Sequence, residues 1–202
     1  MLIVLIAIVM LPQIIQQGTT NKMKISSINS ILLILAALTI VGCTGPVPLN
    51  YNVGSTLSAE GQMEVGNFKY LPAENSDKIL PNQLKNTAAG NIIFDKDINV
   101  FFEEAAFTEA RFIGINTIES DKTLQGDIEE FLIDDLGYSI DWTLKVKYIV
   151  ADKTTNSTCY EETKNNEANS SKFVNPLGAL NEIVQSNLEL LFSDQAFLEC
   201  IK

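Results

Sequence analysis

Residues 138–152 read YSIDWTLKVKYIVAD, and apolar and polar side chains alternate along most of this stretch. A period of two is typical of a β-strand with one apolar and one largely solvated face. The residues are mostly β-branched or aromatic, and so long a run favours a central strand. We expect Trp142, the only tryptophan, to anchor the core with its indole N–H hydrogen-bonded. The predicted apolar face comprises Ile140, Trp142, Leu144, Val146, Tyr148 and Val150.

Charge is distributed unevenly along the 202 residues. Lys22 and Lys24 are the only charged residues before Cys43, so 12 of the 14 Lys and Arg residues and all 25 Asp and Glu residues lie beyond it. The chain from Cys43 onward therefore has a formal net charge of −13. So acidic a surface argues against binding to nucleic acid or electrostatic docking onto anionic lipid, because both need basic side chains.

Two apolar runs precede this acidic part. Residues 1–15 have no basic residue in front of them, whereas residues 31–41 follow two lysines and end just before Gly42-Cys43. A basic start, a short apolar segment and a small residue before the cut are typical of a secretory signal. Residues 1–42 are therefore predicted to be a signal region. Such a signal normally begins at a site like Met23, so residues 1–22 are either a mis-assigned start or an additional apolar segment.

The four residues before the acidic part, IVGC at 40–43, resemble the lipobox of bacterial lipoproteins. The resemblance implies that Cys43 becomes the mature N-terminus and carries acyl chains such as palmitate, which anchor the protein stably. The alternative is a chance Gly-Cys pair after an ordinary signal. Lipoproteins of the inner membrane typically have Asp after this cysteine, so Thr44 implies anchoring in the outer membrane, on its periplasmic face.

The remaining chain is predicted to be a flexible tether over 43–61, rich in Pro, Gly, Ser and Asn, followed by one domain over 62–202. Strands, one helix, further strands and a final helical part succeed one another. This order predicts an α+β fold, with a single antiparallel-rich meandering sheet and helices packed on one face. The predicted elements are strands 63–70 (with a bulge at Gly66), 112–118, 124–133, 138–152 and 159–164, a turn at 134–137, and helices from Asp95 or Asp97 to 111, from Asn175-Pro176 onward, and from Ser193.

One segment, 71–91, is polar, is bracketed by prolines and shows no periodicity, so we expect a long loop. Ordered polar loops often bind partners, and amide side chains hydrogen-bond peptides well. Asn82, Gln83 and Asn86 are therefore the candidate contacts to a partner. The alternative is that the segment is a solvated connector.

The sequence gives little support for a catalytic site. Six carboxylates cluster in sequence, and paired carboxylates serve glycoside hydrolysis, but a solvated strand face and a capped turn explain them as well. The chain has no histidine, no nucleophile or phosphate motif, and no calcium-loop spacing, so we expect no enzyme activity, cofactor or metal. The clustered residues are Asp127, Glu129, Glu130, Asp134, Asp135 and Asp141.

Cys159 and Cys200 remain once Cys43 is assigned to lipidation. In an oxidising compartment two cysteines favour a disulfide, which would join the last helix to the sheet. Two separate buried thiols are the alternative.

Together with the lipobox, residues 82–115, 129–148 and 172–189 resemble a family of uncharacterised proteobacterial envelope lipoproteins, similar in layout to YajG-like and transport-auxiliary lipoproteins. The resemblance implies a small periplasmic α+β domain tethered to the outer membrane, and it implies no activity. We therefore expect a non-catalytic binding or adaptor module whose partner is another envelope protein. The alternatives are a lipid-handling accessory of an envelope transporter, with an acyl-binding groove, and a carboxylate hydrolase.

Overall fold

The computed structural model of the protein describes residues 45–87, 90–171 and 176–202. In it, the predicted central strand is β5, Ser139–Asp152. β5 lies between β4, Lys122–Asp134, and β6, Thr158–Ser171, and pairs with both in antiparallel register. The turn at 135–138 joins β4 to β5 as a hairpin, as the Asp-Gly turn chemistry predicts. Trp142 is 1% exposed and donates its indole N–H to Ser170 Oγ at 2.9 Å, so its predicted role in the core is confirmed.

Three further strands extend the sheet on the other side of β4. β1, Glu64–Tyr70, and β2, Gln83–Asn86, both run parallel to β4, and β3, Ile92–Ile93, runs antiparallel to β2. The result is a mixed six-stranded sheet among the described residues, with β6 at one end. The predicted α+β class is confirmed, and β1 has the expected irregularity, a register shift between Val65 and Phe68.

Four helices complete the described fold: α1, Leu71–Glu74; α2, Ile98–Ile113; α3, Pro176–Phe192; and α4, Gln195–Cys200. α2 buries the predicted apolar stripe and ends at Gly114, whose φ of 107° is the left-handed conformation that glycine tolerates. The predicted cap Asn175 lies outside the described residues, and α4 is capped by Asp194, which accepts from the Ala196 N–H. None of the described helices is long and apolar enough to cross a membrane.

The core between the sheet and the helices is filled with aromatic and aliphatic side chains. The Phe68 ring occupies the space beside Gly126 on β4, where an added Cβ would lie 2.2 Å from a ring carbon. Phe68 also packs edge-on against Tyr148. The largest fully buried side chains are Trp142, Tyr148, Phe94, Phe101, Phe102, Phe131, Phe192 and Phe197.

Two local predictions are wrong, and a third is right but too short. Residues 112–118 do not form a strand, because α2 continues to Ile113 and only an isolated bridge at Asn116 follows. Residues 71–91 are not one long loop, since they contain α1 and β2, and Leu84 is fully buried. The partner strand predicted at 159–164 is confirmed by its pairing with β5, but it is longer than predicted and continues to Ser171 through polar residues that show no apolar alternation.

The expected flexible tether is also wrong for residues 46–61, because Pro46–Lys202 forms one compact unit. The segment has no regular secondary structure, as its composition predicts. It is nevertheless held by an isolated parallel bridge from Val47 to Phe94 and by the burial of Leu49 and Ala59. The domain therefore begins at Pro46 rather than at residue 62.

Candidate functional site

The N-terminal segment 46–61 is attached to the helices by polar side chains as well as by burial. Glu109, on α2 and fully buried, accepts a hydrogen bond of 2.6 Å from the Tyr51 hydroxyl and one of 3.0 Å from the Ser55 N–H. Burial, followed by the contact with Glu109, raises the pKa of Tyr51 far above its ordinary value. A carboxylate buried in a helix is a signal for such a contact, but the sequence does not indicate which distant residues it meets.

A second polar contact joins this segment to α3. Asn181 accepts a hydrogen bond from the Asn52 N–H and donates one to the Asn52 carbonyl, both at 2.8 Å, so that its amide pairs with one peptide group. Beside it lies an open depression of about 520 Å³, lined by Pro48, Asn50 and Gln185 among others. Its lining is mixed polar and apolar, unlike an acyl-binding groove.

The amides predicted to contact a partner are engaged within their own part of the chain. Asn82 donates its side-chain N–H to the Phe94 carbonyl at 2.7 Å, and Gln83 Oε1 accepts from the Leu80 N–H at 3.1 Å. Gln83 and Asn86 are the first and last residues of β2, and both are partly buried. These contacts explain the amides of Asn82 and Gln83 as supports of the β2–β3 turn region, and the role of all three amides in partner binding stays a prediction.

The clustered carboxylates lie on the solvated face of the sheet or at its hairpin. Asp127 is directly opposite Lys147 in the register of β4 and β5, and Glu129 forms an ion pair of 2.9 Å with Lys145. The hydrogen bond that Lys145 donates to Glu129 raises the pKa of Lys145. Asp127, Glu129 and Glu130 thus have lysines of β5 beside them, whereas Asp134 and Asp141 at the hairpin accept hydrogen bonds from the neutral side chains of Thr87 and Asn169. Among residues 45–87, 90–171 and 176–202, no group of three His, Cys, Asp or Glu side chains is placed to hold a metal ion.

The C-terminal helix is joined to the sheet by a disulfide between Cys159 and Cys200, with the two Cα atoms 5.7 Å apart. Asp194 strengthens the same junction, because it forms an ion pair with Lys164 and accepts a hydrogen bond of 2.9 Å from the Tyr160 hydroxyl. Lys164, and then Tyr160, hold the pKa of Asp194 below its ordinary value. The beginning of β6 is therefore firmly fixed.

Taken as a whole, β6 is the most exposed of the long strands of the sheet. Ten of its 14 residues are exposed, whereas only one of the 14 residues of β5 is. Within the part of the chain that the structure describes, no strand pairs with the outer edge of β6. An edge of this kind offers backbone N–H and C=O groups to an added strand. Sequence reasoning predicted only residues 159–164 of this strand, because a polar edge strand lacks the alternation that marks a half-buried one.

Cys43, the predicted lipidation site, lies outside the described residues, as does the whole predicted signal region. The first described residues, Gly45 and Pro46, are exposed, and the bridge at Val47 follows directly.

No protein-family model and no curated protein matches this chain. Among solved structures it is similar to protein XCC0632 from Xanthomonas campestris, of the family model DUF330, with a TM-score of 0.53 and 13% identity over 74% of this chain and 90% of that one. This likeness shows that the two proteins share a fold.

Two other solved structures superpose less well. The PelC dodecamer from Paraburkholderia phytofirmans gives a TM-score of 0.41 at 12% identity, over 70% of this chain and 96% of that one. Lipoprotein GNA1162 from Neisseria meningitidis gives a TM-score of 0.29 at 14% identity, over 64% of this chain and 99% of that one. At such scores we draw no argument from either, and a YajG-like relationship stays a prediction.

Proposed function

We propose that this protein is a non-catalytic binding module of the bacterial cell envelope, anchored in the outer membrane through Cys43, whose partner adds an extended segment to the outer edge of β6. The anchor is supported by the basic flank, short apolar run and terminal IVGC of the signal region. The binding mode is carried by one observation: the sheet ends in a 14-residue strand of which ten residues are exposed.

Side-chain chemistry also favours β6 as a specific binding edge. Its residues from 161 to 169 read EETKNNEAN, so the edge has no apolar stripe that would drive non-specific aggregation. Backbone hydrogen bonds supply affinity in strand addition, and neighbouring side chains supply specificity. The disulfide at Cys159 and the hydrogen bond from Trp142 to Ser170 hold both ends of the strand, so a partner meets a preformed template.

The filled core argues against the lipid-handling alternative. An acyl-binding groove needs an apolar cavity open to solvent, and the space between the sheet and α2 and α3 is instead occupied by packed rings such as Phe101, Phe102 and Phe131. The hydrolase alternative loses support for a different reason, because the carboxylates on β4 lie beside lysines of β5, as Glu129 does beside Lys145, and those at the hairpin accept hydrogen bonds from Thr87 and Asn169.

Site-specific photo-crosslinking in the full-length protein tests the binding mode. Glu167 and Ala168 are adjacent, exposed and directed to opposite faces of the sheet, so a strand added at the edge lies within reach of both. We expect both positions to form adducts with the same partner peptide. Glu104, half-exposed on α2, is the matched control and should form none. Adducts at Glu167 alone would indicate docking on the sheet face, and equal adducts at Glu104 would contradict the proposed site altogether.

A further inference from the structure

The β4–β5 hairpin carries two apolar side chains that the fold does not use. Leu136 is 72% exposed, and Tyr138 is as exposed as in an extended peptide, at 103%. Neither side chain packs on the core, so neither stabilises the domain by burial. An exposed leucine and an exposed tyrosine two residues apart at the tip of the hairpin form a small amphipathic surface.

The strand directions place the N-terminal exit of the domain at this same end. β2 runs parallel to β4, toward the hairpin, and β3 runs antiparallel to β2. The start of β3 therefore lies toward the hairpin. The bridge between Val47 and Phe94 is parallel, so the chain that precedes Val47 also points toward the hairpin. The exit lies across β3 and β2 from β4, a lateral distance of about 14 Å for three strand spacings.

Very little chain separates this exit from the predicted lipid anchor. Only Thr44 and Gly45 lie between Cys43 and Pro46, and three residue steps reach at most about 11 Å in a fully extended chain. Because residues 46–61 are packed rather than free, they cannot hold the domain away from a bilayer. Acylation of Cys43 is a premise that rests on the proposed function. If Cys43 is acylated, the hairpin end of the sheet must lie close to the lipid surface.

We infer that the hairpin tip docks into the interface of the bilayer that holds the anchor, with Leu136 and Tyr138 inserted among the headgroups. Tyrosine favours this region because its ring is apolar and its hydroxyl can remain hydrated. The acyl anchor keeps the tip at a high local concentration of lipid, so two side chains suffice for the contact. The domain is thereby oriented on the membrane instead of rotating about its anchor.

Neighbouring charges define the kind of lipid. Asp134 and Asp141 are opposite each other in the register at the base of the tip, and Asp135 is the next residue. Asp134 accepts a hydrogen bond of 2.6 Å from Thr87 Oγ1 and one of 3.2 Å from the Leu136 N–H, which fix the shape of the turn. These carboxylates repel anionic headgroups, so the tip fits a zwitterionic surface.

Fluorescence of a single label in the lipidated full-length protein tests this inference. With Cys43 acylated and Cys159 bonded to Cys200, an introduced cysteine is the only free thiol. Tyr138→Cys and Leu136→Cys place an environment-sensitive label at the tip. Ile118→Cys, where the native side chain is 58% exposed near the other end of β4, is the matched control. Proteoliposomes of phosphatidylethanolamine and phosphatidylcholine would contain acyl-chain spin-labelled lipid as the quencher.

We expect blue-shifted, strongly quenched emission from both tip positions, and unquenched emission from position 118. Adding phosphatidylglycerol should reduce the quenching at the tip. Equal quenching at positions 118 and 138, or a fully solvated label at both tip positions, would overturn the inference. Flotation of the same vesicles separates this result from failure of the anchor, because a protein that floats with a solvated tip retains the anchor and lacks the docking contact.

Discussion

The Tyr51 hydroxyl donates a 2.6 Å hydrogen bond to the fully buried Glu109 carboxylate, and this contact ties the N-terminal segment to α2. The same carboxylate accepts the Ser55 N–H, so a single side chain satisfies two donors of a segment that has no secondary structure. The proposed lipid anchor at Cys43 would consequently be joined to the domain by a short stretch of chain, since the segment that follows Pro46 is part of the fold.

Replacing Glu109 with alanine should loosen this attachment. The substitution leaves two buried or partly buried donors without an acceptor, at a cost of about 1–3 kcal/mol for each fully buried one. Glu109→Gln retains an acceptor oxygen and should be milder, and Glu104→Ala, at a half-exposed site on the same helix, should have little effect. Urea unfolding gives the free energies, and hydrogen exchange should show faster exchange in residues 46–61. The account is wrong if Glu109→Ala leaves both unchanged.

Removing the Trp142 side chain should destabilise the domain by about 3–5 kcal/mol, because a large buried ring leaves a cavity. Phe112→Ala, at an aromatic residue that is 58% exposed, is the control and should change the free energy of unfolding by less than about 0.5 kcal/mol. Equilibrium denaturation measures both. A loss below about 1 kcal/mol for Trp142→Ala would be inconsistent with the burial of this face.

Reduction of the Cys159–Cys200 disulfide should lower the free energy of unfolding by up to about 4 kcal/mol, the chain-entropy figure for a loop of this length. The sequence separation is 41 residues. Denaturation with and without reductant measures the change, and the double variant Cys159→Ser, Cys200→Ser should be insensitive to reductant. Identical curves for the oxidised and reduced protein would contradict a stabilising role for the bond.

Acid should weaken the junction between α4 and β6. Lys164, followed by Tyr160, lowers the pKa of Asp194 from its ordinary value of 3.8. A group with a depressed folded-state pKa stabilises the fold above its unfolded pKa, and this contribution is lost as the pH falls through the folded value. Asp194→Asn keeps an oxygen to cap α4 and removes the charge. The free energy of unfolding should therefore fall less steeply below about pH 4 in this variant than in the wild type; parallel curves would show that the pair contributes nothing.

The elements that could be predicted from the sequence are those whose local pattern repeats. β5 alternates for its whole length, and α2 shows an apolar stripe from Ile98 to Ala106 that is fully buried as predicted. The missed features depend on contacts distant in sequence. Tyr51 meets Glu109 across 58 residues and Asn52 meets Asn181 across 129, so composition alone classified their segment as a tether.

Edge and surface features escaped prediction for a related reason. β2 has only four residues and one fully buried side chain, Leu84, too few to show a period. β6 is held by pairing with β5 and by polar contacts, such as that between Asn166 and Asn187, rather than by an apolar face. The candidate binding edge was therefore found only in the sheet topology, whereas the anchor at Cys43 is predicted by sequence alone.

The central claim is that Cys43 anchors this module to the membrane, and the mass of the N-terminal tryptic peptide tests it most directly. Trypsin would release a peptide that begins at Cys43 and ends at Lys69, the first basic residue beyond the anchor. The account predicts that this peptide starts at Cys43 and carries the mass of a glyceryl group with its acyl chains, and that Cys43→Ser abolishes this species and shifts the protein out of the outer-membrane fraction. An unmodified peptide in the mature protein, or one that continues upstream of Cys43, would contradict the account.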